Sequence, residues 1–228
     1  MSGETPVLEL RKVCKEYGNG LRTSVLFDVN LKVMPGEFVG LVGASGSGKT
    51  TLLNIAGLLD RPTAGQVFLG GADAATVDDG ERARLRREYI GFIFQFHYLL
   101  PEFTVLENAL IPCRLRGDVC DLGLTNRMTE FLTRVGLGER LHYRPDQLSG
   151  GQQQRVAIVR SLANNPDLVL ADEPTGNLDS KSGRGVFDLM RELNEASGKA
   201  FLMVTHDEGL AGEVDRIVHI VDGRIEEG

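Results

Sequence analysis

The sequence is short of several things, and each shortage removes a class of protein. Lys and Arg number 25 against 32 Asp and Glu in 228 residues, a formal net charge of −7. A nucleic-acid binder ordinarily shows the opposite excess, so no nucleic-acid partner is expected. Long apolar runs are missing: the longest, residues 38–44, is 7 residues and contains two glycines, far below the ~18 needed to span a bilayer. The opening Met-Ser-Gly-Glu-Thr-Pro lacks the basic-then-apolar pattern of a secretory leader. A cytosolic chain is expected, one that meets any membrane as a peripheral partner. Only three cysteines occur, Cys14, Cys113 and Cys120, at spacings that fit neither a zinc site nor a disulfide framework. They are expected to be reduced and incidental. The four histidines (His97, His142, His206, His219) show no metal-ligand clustering. Repeats, low-complexity segments and long linkers are also missing.

What is present is ordinary globular composition, 42% hydrophobic and 25% charged, at a length suited to one domain with a subdomain. Short apolar stretches at 7–10, 25–33 and 38–42, cut by Pro35-Gly36, predict a strand-rich start. A helical pattern over 48–59 is stopped by residues 61–65, and strands are expected at 66–69 and 90–94. From 104 to about 164 the periodicity turns helical. Val105, Leu106, Ala109 and Leu110 mark one helix, Met128, Leu132 and Val135 a second, Val156, Ile158, Val159 and Leu162 a third, which Asn164-Asn165-Pro166 ends. Strand–helix alternation then resumes at 168–171, 182–195 and 200–204, before a closing hairpin turning at Asp222-Gly223. The expected architecture is α/β: a core from about 1–95 and 166–228, and an inserted helical subdomain of roughly 60–70 residues at about 96–165.

Three motifs carry chemistry. Gly43-Ala44-Ser45-Gly46-Ser47-Gly48-Lys49-Thr50 fits G-x-x-x-x-G-K-[ST], with an apolar strand before it and a helical pattern after it. Its glycines let backbone N–H groups converge on phosphate oxygens beside a helix N-terminus. Lys49 would neutralise the β- and γ-phosphates, and the Thr50 hydroxyl would ligate Mg²⁺. The run 168–173 ends in two carboxylates whose side chains alternate in direction. Asp172 is placed for the Mg²⁺ shell and Glu173 to polarise an attacking water, although two acids at a strand end also serve as solvated charges. Leu148-Ser149-Gly150-Gly151-Gln152 opens the third helix of the insertion, with Ser149 in an N-cap-like position. Read alone it is a capped helix start or a second anion site, about 100 residues from the first loop.

In this order and spacing the three motifs resemble the nucleotide-binding subunit of an ATP-binding cassette (ABC) transporter, from residue 7 to 223. The resemblance implies an ABC nucleotide-binding domain: a P-loop NTPase core, an N-terminal antiparallel β subdomain and an inserted α-helical subdomain. It implies ATP and Mg²⁺ as ligands, with Thr51 and the loop residues on the phosphates. Tyr17 resembles the aromatic that stacks on adenine, although it also reads as a surface tyrosine. Gln95 resembles the glutamine that touches metal and water, Asp179 the end of a loop that crosses a dimer interface, and His206 the γ-phosphate histidine. The implied catalytic set is Glu173, His206, Gln95 and Lys49, the implied metal ligands Thr50, Gln95 and Asp172. It further implies a homodimer in which Ser149, Gly151 and Gln152 of one copy cover ATP on the other.

The aromatic segment 95–103 reads as core packing or as a groove for a short helix of an integral membrane subunit. With residues 168–179 it is similar to the LolD-type ATPases of lipoprotein release, a subfamily that includes MacB-like export ATPases and is close to FtsE. Gln152, where many such signatures have Glu, and Val159-Arg160-Ser161-Leu162 depart from that wording. A chain without a fused membrane region is expected to work with separate membrane subunits, at the cytoplasmic face of the inner membrane. An exporter or an ATP-gated switch of a membrane partner are the alternatives. Arg82, Arg84, Arg86 and Arg87 are expected to form a solvated helix face, or a contact to membrane or partner.

Overall fold

The computed structural model describes residues 4–18, 22–117 and 122–226. Strands β1 (Leu8–Tyr17), β2 (Thr23–Val33) and β3 (Phe38–Val42) lead into helix α1 (Lys49–Ala56). Then follow β4 (Ala64–Leu69), β5 (Ala72–Asp73), α2 (Asp79–Tyr89) and β6 (Ile90–Phe94). Helices α3 (Val105–Arg116), α4 (Leu122–Arg134) and α5 (Gly150–Ser161) precede β7 (Leu168–Asp172), α6 (Ser180–Ser197) and β8 (Ala200–Val204). A short α7 (Glu208–Ala211) and the hairpin β9 (Arg216–Val221) and β10 (Arg224–Glu226) close the order.

The strands form two sheets. One is four-stranded, in the order β2-β1-β4-β5, with every pairing antiparallel. The other runs β10-β9-β3-β8-β7-β6 and is parallel from β9 to β6, with β10 antiparallel at its edge. Its central strands are covered on both faces, which is why they read as unbroken apolar runs. Leu168 and Leu170 face the cluster formed with α1 and the antiparallel sheet. Val169 and Ala171 face Val186, Phe187 and Met190 of α6. Helices α3, α4 and α5 build a third cluster around Val105, Ala109, Met128, Leu132, Val156 and Val159. Helix α5 belongs to two clusters, because Ile158 joins the sheet while Val156 and Val159 join the helices.

Three differences from the sequence reading have physical causes. The apolar signal of β1 ends at Leu10, yet the strand continues to Tyr17 because pairing with β2 carries on through register shifts. β4 starts at Ala64, inside the expected stop, because Ala64 pairs with Cys14 of β1. The arginine cluster of α2 is not a uniformly solvated face. Arg84 is exposed and pairs with Glu81 and Glu88, but Arg82 is buried and donates to Leu58 O at 3.0 Å. Arg86 donates to the same carbonyl at 3.0 Å, so two guanidiniums serve the end of α1 instead of solvent. Of the cysteines, Cys113 donates to Ala163 O and Cys14 accepts from the Asp28 N–H; Cys120 lies outside the described residues. Among the described residues, no helix is long and apolar enough to cross a membrane.

α5 passes close to the sheet at Gly91 of β6, where an added Cβ would lie 2.3 Å from Ser161 O. Backbone cannot retreat as a side-chain tip can. Gly91→Ala is expected to lower stability by about 1–3 kcal/mol, read as a lower urea midpoint at unchanged m-value.

Candidate functional site

β3 is buried almost to its end and delivers the chain to a loop at the carboxyl edge of the parallel sheet. There Gly46 and Gly48 adopt φ of 79° and 103°, which glycine takes without strain. At Gly43 the limit is space, since a Cβ would sit 2.3 Å from Ile220 O and 2.7 Å from Ser47 Oγ. α1 starts on Gly48 with no side-chain cap and no acidic residue in its first turn. Its leading N–H groups and partial positive charge are left for a ligand. The Lys49 ammonium lies over the loop, donating to Gly43 O and Ala44 O at 2.7 Å each. Ser47 Oγ is buried without a hydrogen-bond partner, a polar atom placed for a group that brings one. A cavity of about 330 Å³ opens here, lined by the loop glycines 43, 46 and 48, Ser45, Lys49, Thr50, Thr51, Val25, Glu173 and His206.

Neighbouring strand ends bring in the acids. Asp172 ends β7, with Phe94 of β6 beside it on one side and Val204 of β8 on the other. Burial pushes the Asp172 carboxyl above the usual carboxylate range, the charge of Glu173 adds to this, and Lys49 opposes it. Glu173 holds φ of 44° and donates its N–H to Val204 O, which turns its side chain toward the cavity. His206 Nδ1 is 3.4 Å from Glu173 Oε2. Gln95 does not line the cavity; its amide donates to Asn177 Oδ1, and Asn177 Nδ2 donates back to Gln95 O, both at 3.2 Å. Tyr17 stands at the margin, 42% exposed, its hydroxyl donating to Asp60 Oδ2 at 2.7 Å.

The Ser149 segment lies apart. Ser149 Oγ accepts from Gln152 N–H, and Gln152 Oε1 accepts from Ser149 N–H, a reciprocal cap that commits both side chains to α5. Gly150 and Gly151 face Leu178 and Ser182, and neither Ser149, Gly151 nor Gln152 lines the cavity at the 43–50 loop. Asp179 caps α6 through Ser182 N–H at 3.0 Å and borders a second cavity of about 350 Å³ with His206. One chain therefore unites the loop, the acids and His206, and leaves the capped start of α5 at Ser149 outside that cavity.

Comparison with known proteins identifies the arrangement. The ABC transporter family model matches residues 26–176. The chain belongs to the ABC transporter family. It is an ABC-type ATPase. It is 55% identical over 227 residues to the lipoprotein-releasing system ATP-binding protein LolD of Anaeromyxobacter dehalogenans, covering 97% of this chain and 93% of that protein. LolD of Xylella fastidiosa strain 9a5c is 49% identical over 224 residues, with 97% and 92% covered. A solved dimeric ATP-binding cassette, in a post-hydrolysis state bound to ADP and Pi, superposes with a TM-score of 0.87 at 42% identity, covering 96% of this chain and 97% of that one.

Two residues missed by sequence reasoning tie this ABC ATPase together. Gln154 of α5, fully buried, donates to Phe94 O at 3.2 Å and Pro174 O at 2.7 Å, joining the segments that carry Gln95 and Glu173. Arg160, one and a half turns on, donates to His97 O at 2.6 Å and Tyr98 O at 2.7 Å. A polar side chain four residues before Ile158, on the sheet-facing side, was the available signal for Gln154. Gln154→Leu keeps the volume but strands both carbonyls, and is expected to cost about 1–3 kcal/mol in chemical denaturation.

Proposed function

We propose that this chain is the ATP-hydrolysing subunit of a membrane complex that releases lipoproteins from the inner membrane. In this reading it works as a homodimer, peripherally bound at the cytoplasmic face beneath integral membrane subunits. The observation that carries the proposal is the division of the site: the phosphate cavity and the Ser149–Gly151 donors are both formed, but apart, in one chain. A second copy supplies what each lacks. The LolD relatives, alike over nearly the whole chain, support lipoprotein release.

The phosphates of ATP lie on the N–H groups of Gly43, Ser45, Gly46, Ser47 and Gly48, with the Thr50 and Thr51 hydroxyls beside them. Lys49 exchanges its two loop carbonyls for phosphate oxygens, a stronger charge-assisted pairing. Tyr17 supplies the stacking surface for adenine. Thr50 and Asp172 offer the hard oxygen donors that Mg²⁺ takes; Gln95, held on Asn177 outside the cavity, would have to turn into it to join them, and the raised Asp172 carboxyl beside Glu173 is a pair that a divalent cation would relieve. When bound, Mg²⁺ neutralises charge developing on the phosphoryl oxygens. Glu173, held by its backbone bond to Val204, takes the proton of the attacking water. His206 fixes the Glu173 carboxylate from one side and faces the γ-phosphate from the other. Ser149 and Gly151 of the second copy close on that phosphate, with the Gln152 side chain kept as a cap, and Asp179 stands near the seam. Hydrolysis followed by departure of the cleaved phosphate removes the charge that holds the two copies shut.

The membrane subunit docks beside β6. A largely apolar cavity of about 400 Å³ opens there, lined by Phe92, Phe94, Tyr98, Ile111, Pro112 and Leu115, with Arg86, Arg87 and Arg160 around it. Phe96 and Tyr98 are 60% and 64% exposed, and although Tyr98 stands edge-on to Phe94 and near Phe96, most of both rings is open, as a docking surface needs. Force on residues 95–103 reaches α5 through Arg160 and the acids through Gln95 and Asn177.

Glu173→Gln is expected to keep ATP affinity, slow turnover by roughly 10² to 10⁴, and sediment as a dimer with ATP and Mg²⁺. A strictly monomeric species at high concentration counts against the divided site. Mixing Lys49→Ala with Gly151→Arg protein, each inactive alone, is expected to restore activity by forming one intact composite site per heterodimer. Release of a lipoprotein from vesicles containing the co-purifying membrane subunits separates this function from export or gating.

A further inference from the structure

A carboxylate and a buried ammonium outside the phosphate cavity converge on Tyr17. Asp60 lies beyond α1, and its backbone N–H is hydrogen-bonded to Asn54 O of that helix at 3.2 Å. Its Oδ2 accepts from the Tyr17 hydroxyl at 2.7 Å. Its Oδ1 accepts from Lys15 Nζ and from the Arg61 N–H, both at 2.7 Å. Lys15, only 8% exposed, donates also to Arg61 O at 2.7 Å. Two residues before Tyr17 on β1, it shares that residue's side of the strand, and its ammonium stands 4.6 Å from the centre of the Tyr17 ring. The hydroxyl of Thr51, a cavity residue, faces the Tyr17 hydroxyl.

We infer that Asp60, held by Lys15, is a positioning residue that locks the Tyr17 ring for the nucleotide base. The inference rests on the reading of Tyr17 as the adenine platform given above. An exposed aromatic at a strand end has two free torsions, and ordering it on ligand binding costs affinity. Here that cost is met in advance: the hydroxyl is anchored at the ring's tip, and a cation sits close to the ring. The ring's remaining surface is open to a base. Because Asp60 hangs from the far end of α1 and Lys49 opens the same helix, the anchor also sets the distance between base platform and phosphate loop. Burial raises the Asp60 carboxyl, and the hydrogen bonds from Lys15, Tyr17 and the Arg61 backbone outweigh it and leave it lowered. Burial and the bond to Asp60 raise the Tyr17 phenol, opposed by Thr51, so it stays the donor.

The test measures equilibrium binding of ATP and of inorganic tripolyphosphate to the full chain and to Tyr17→Ala, Asp60→Ala, the double variant and Tyr17→Phe. Asp60→Ala is expected to weaken ATP roughly 3- to 10-fold, the scale of one aromatic stack, with tripolyphosphate unchanged. The double variant is expected to bind ATP no worse than Tyr17→Ala, since the anchor acts only through the ring. Tyr17→Phe, which keeps the ring and cannot disturb Lys15 through lost charge, is expected to show part of the same loss. If Tyr17→Ala weakens ATP while Asp60→Ala and Tyr17→Phe do not, the positioning role is overturned and the platform stands. Equal weakening of ATP and tripolyphosphate by Asp60→Ala overturns it in favour of a general disturbance of α1. An unchanged ATP affinity in Tyr17→Ala removes the platform itself, and with it anything that positions it.

Discussion

A phosphate group demands several N–H donors and a positive charge at one point, with no side chain in the way. The turn from β3 into α1 meets that demand, and the rest of the molecule is arranged around it. A helix start without a side-chain cap is ordinarily a defect; here Gly48 leaves the donors open and Lys49 crosses the loop. The buried, unpartnered Ser47 hydroxyl belongs to the same preparation. Stability is withheld at the point where a ligand will supply it.

The parallel sheet turns this local device into a site. Strand neighbours put residues far apart in the chain side by side: Asp172 lies next to Val204, and β3 next to β8. That adjacency delivers Glu173 and His206 to the cavity wall. The same edge carries Gln95, which reaches the loop after the acids and not the cavity. Helix α5 works between the two parts of the molecule. Its N-terminus carries the Ser149 cap, while Gln154 and Arg160 grip backbone carbonyls at the end of β6 and just beyond it. The apolar groove lined by Tyr98 and Arg160 and the capped N-terminus at Ser149 thus belong to one helix, and under the proposed function that helix is where a membrane partner and the nucleotide would be coupled.

Much of the candidate site could be read from the chain because its motifs are local. A glycine-rich turn between an apolar strand and a helix, an apolar run ending in two acids, and a capped helix start each fit within about ten residues. The strands of the doubly covered sheet were legible for the same reason, as their burial on both faces leaves unbroken apolar runs. What was not legible depends on partners distant in sequence. Arg82 looks like any charge on a polar helix, and only the carbonyl of Leu58 explains its burial. β1 continues past its apolar signal because β2 pairs with it. Asp60 carries no motif, and its tie to Tyr17 spans 43 positions.

By itself, the sequence determined which polar and charged groups the candidate site can draw on, since donor type and spacing within a turn are properties of contiguous residues. Tertiary structure decided which of them meet. It placed Glu173 and His206 on the phosphate loop, tied Gln95 to Asn177, and kept Ser149 and Gly151 away from the cavity. Sheet order and helix packing set those distances, and they arise from contacts between segments that the chain's local pattern does not encode.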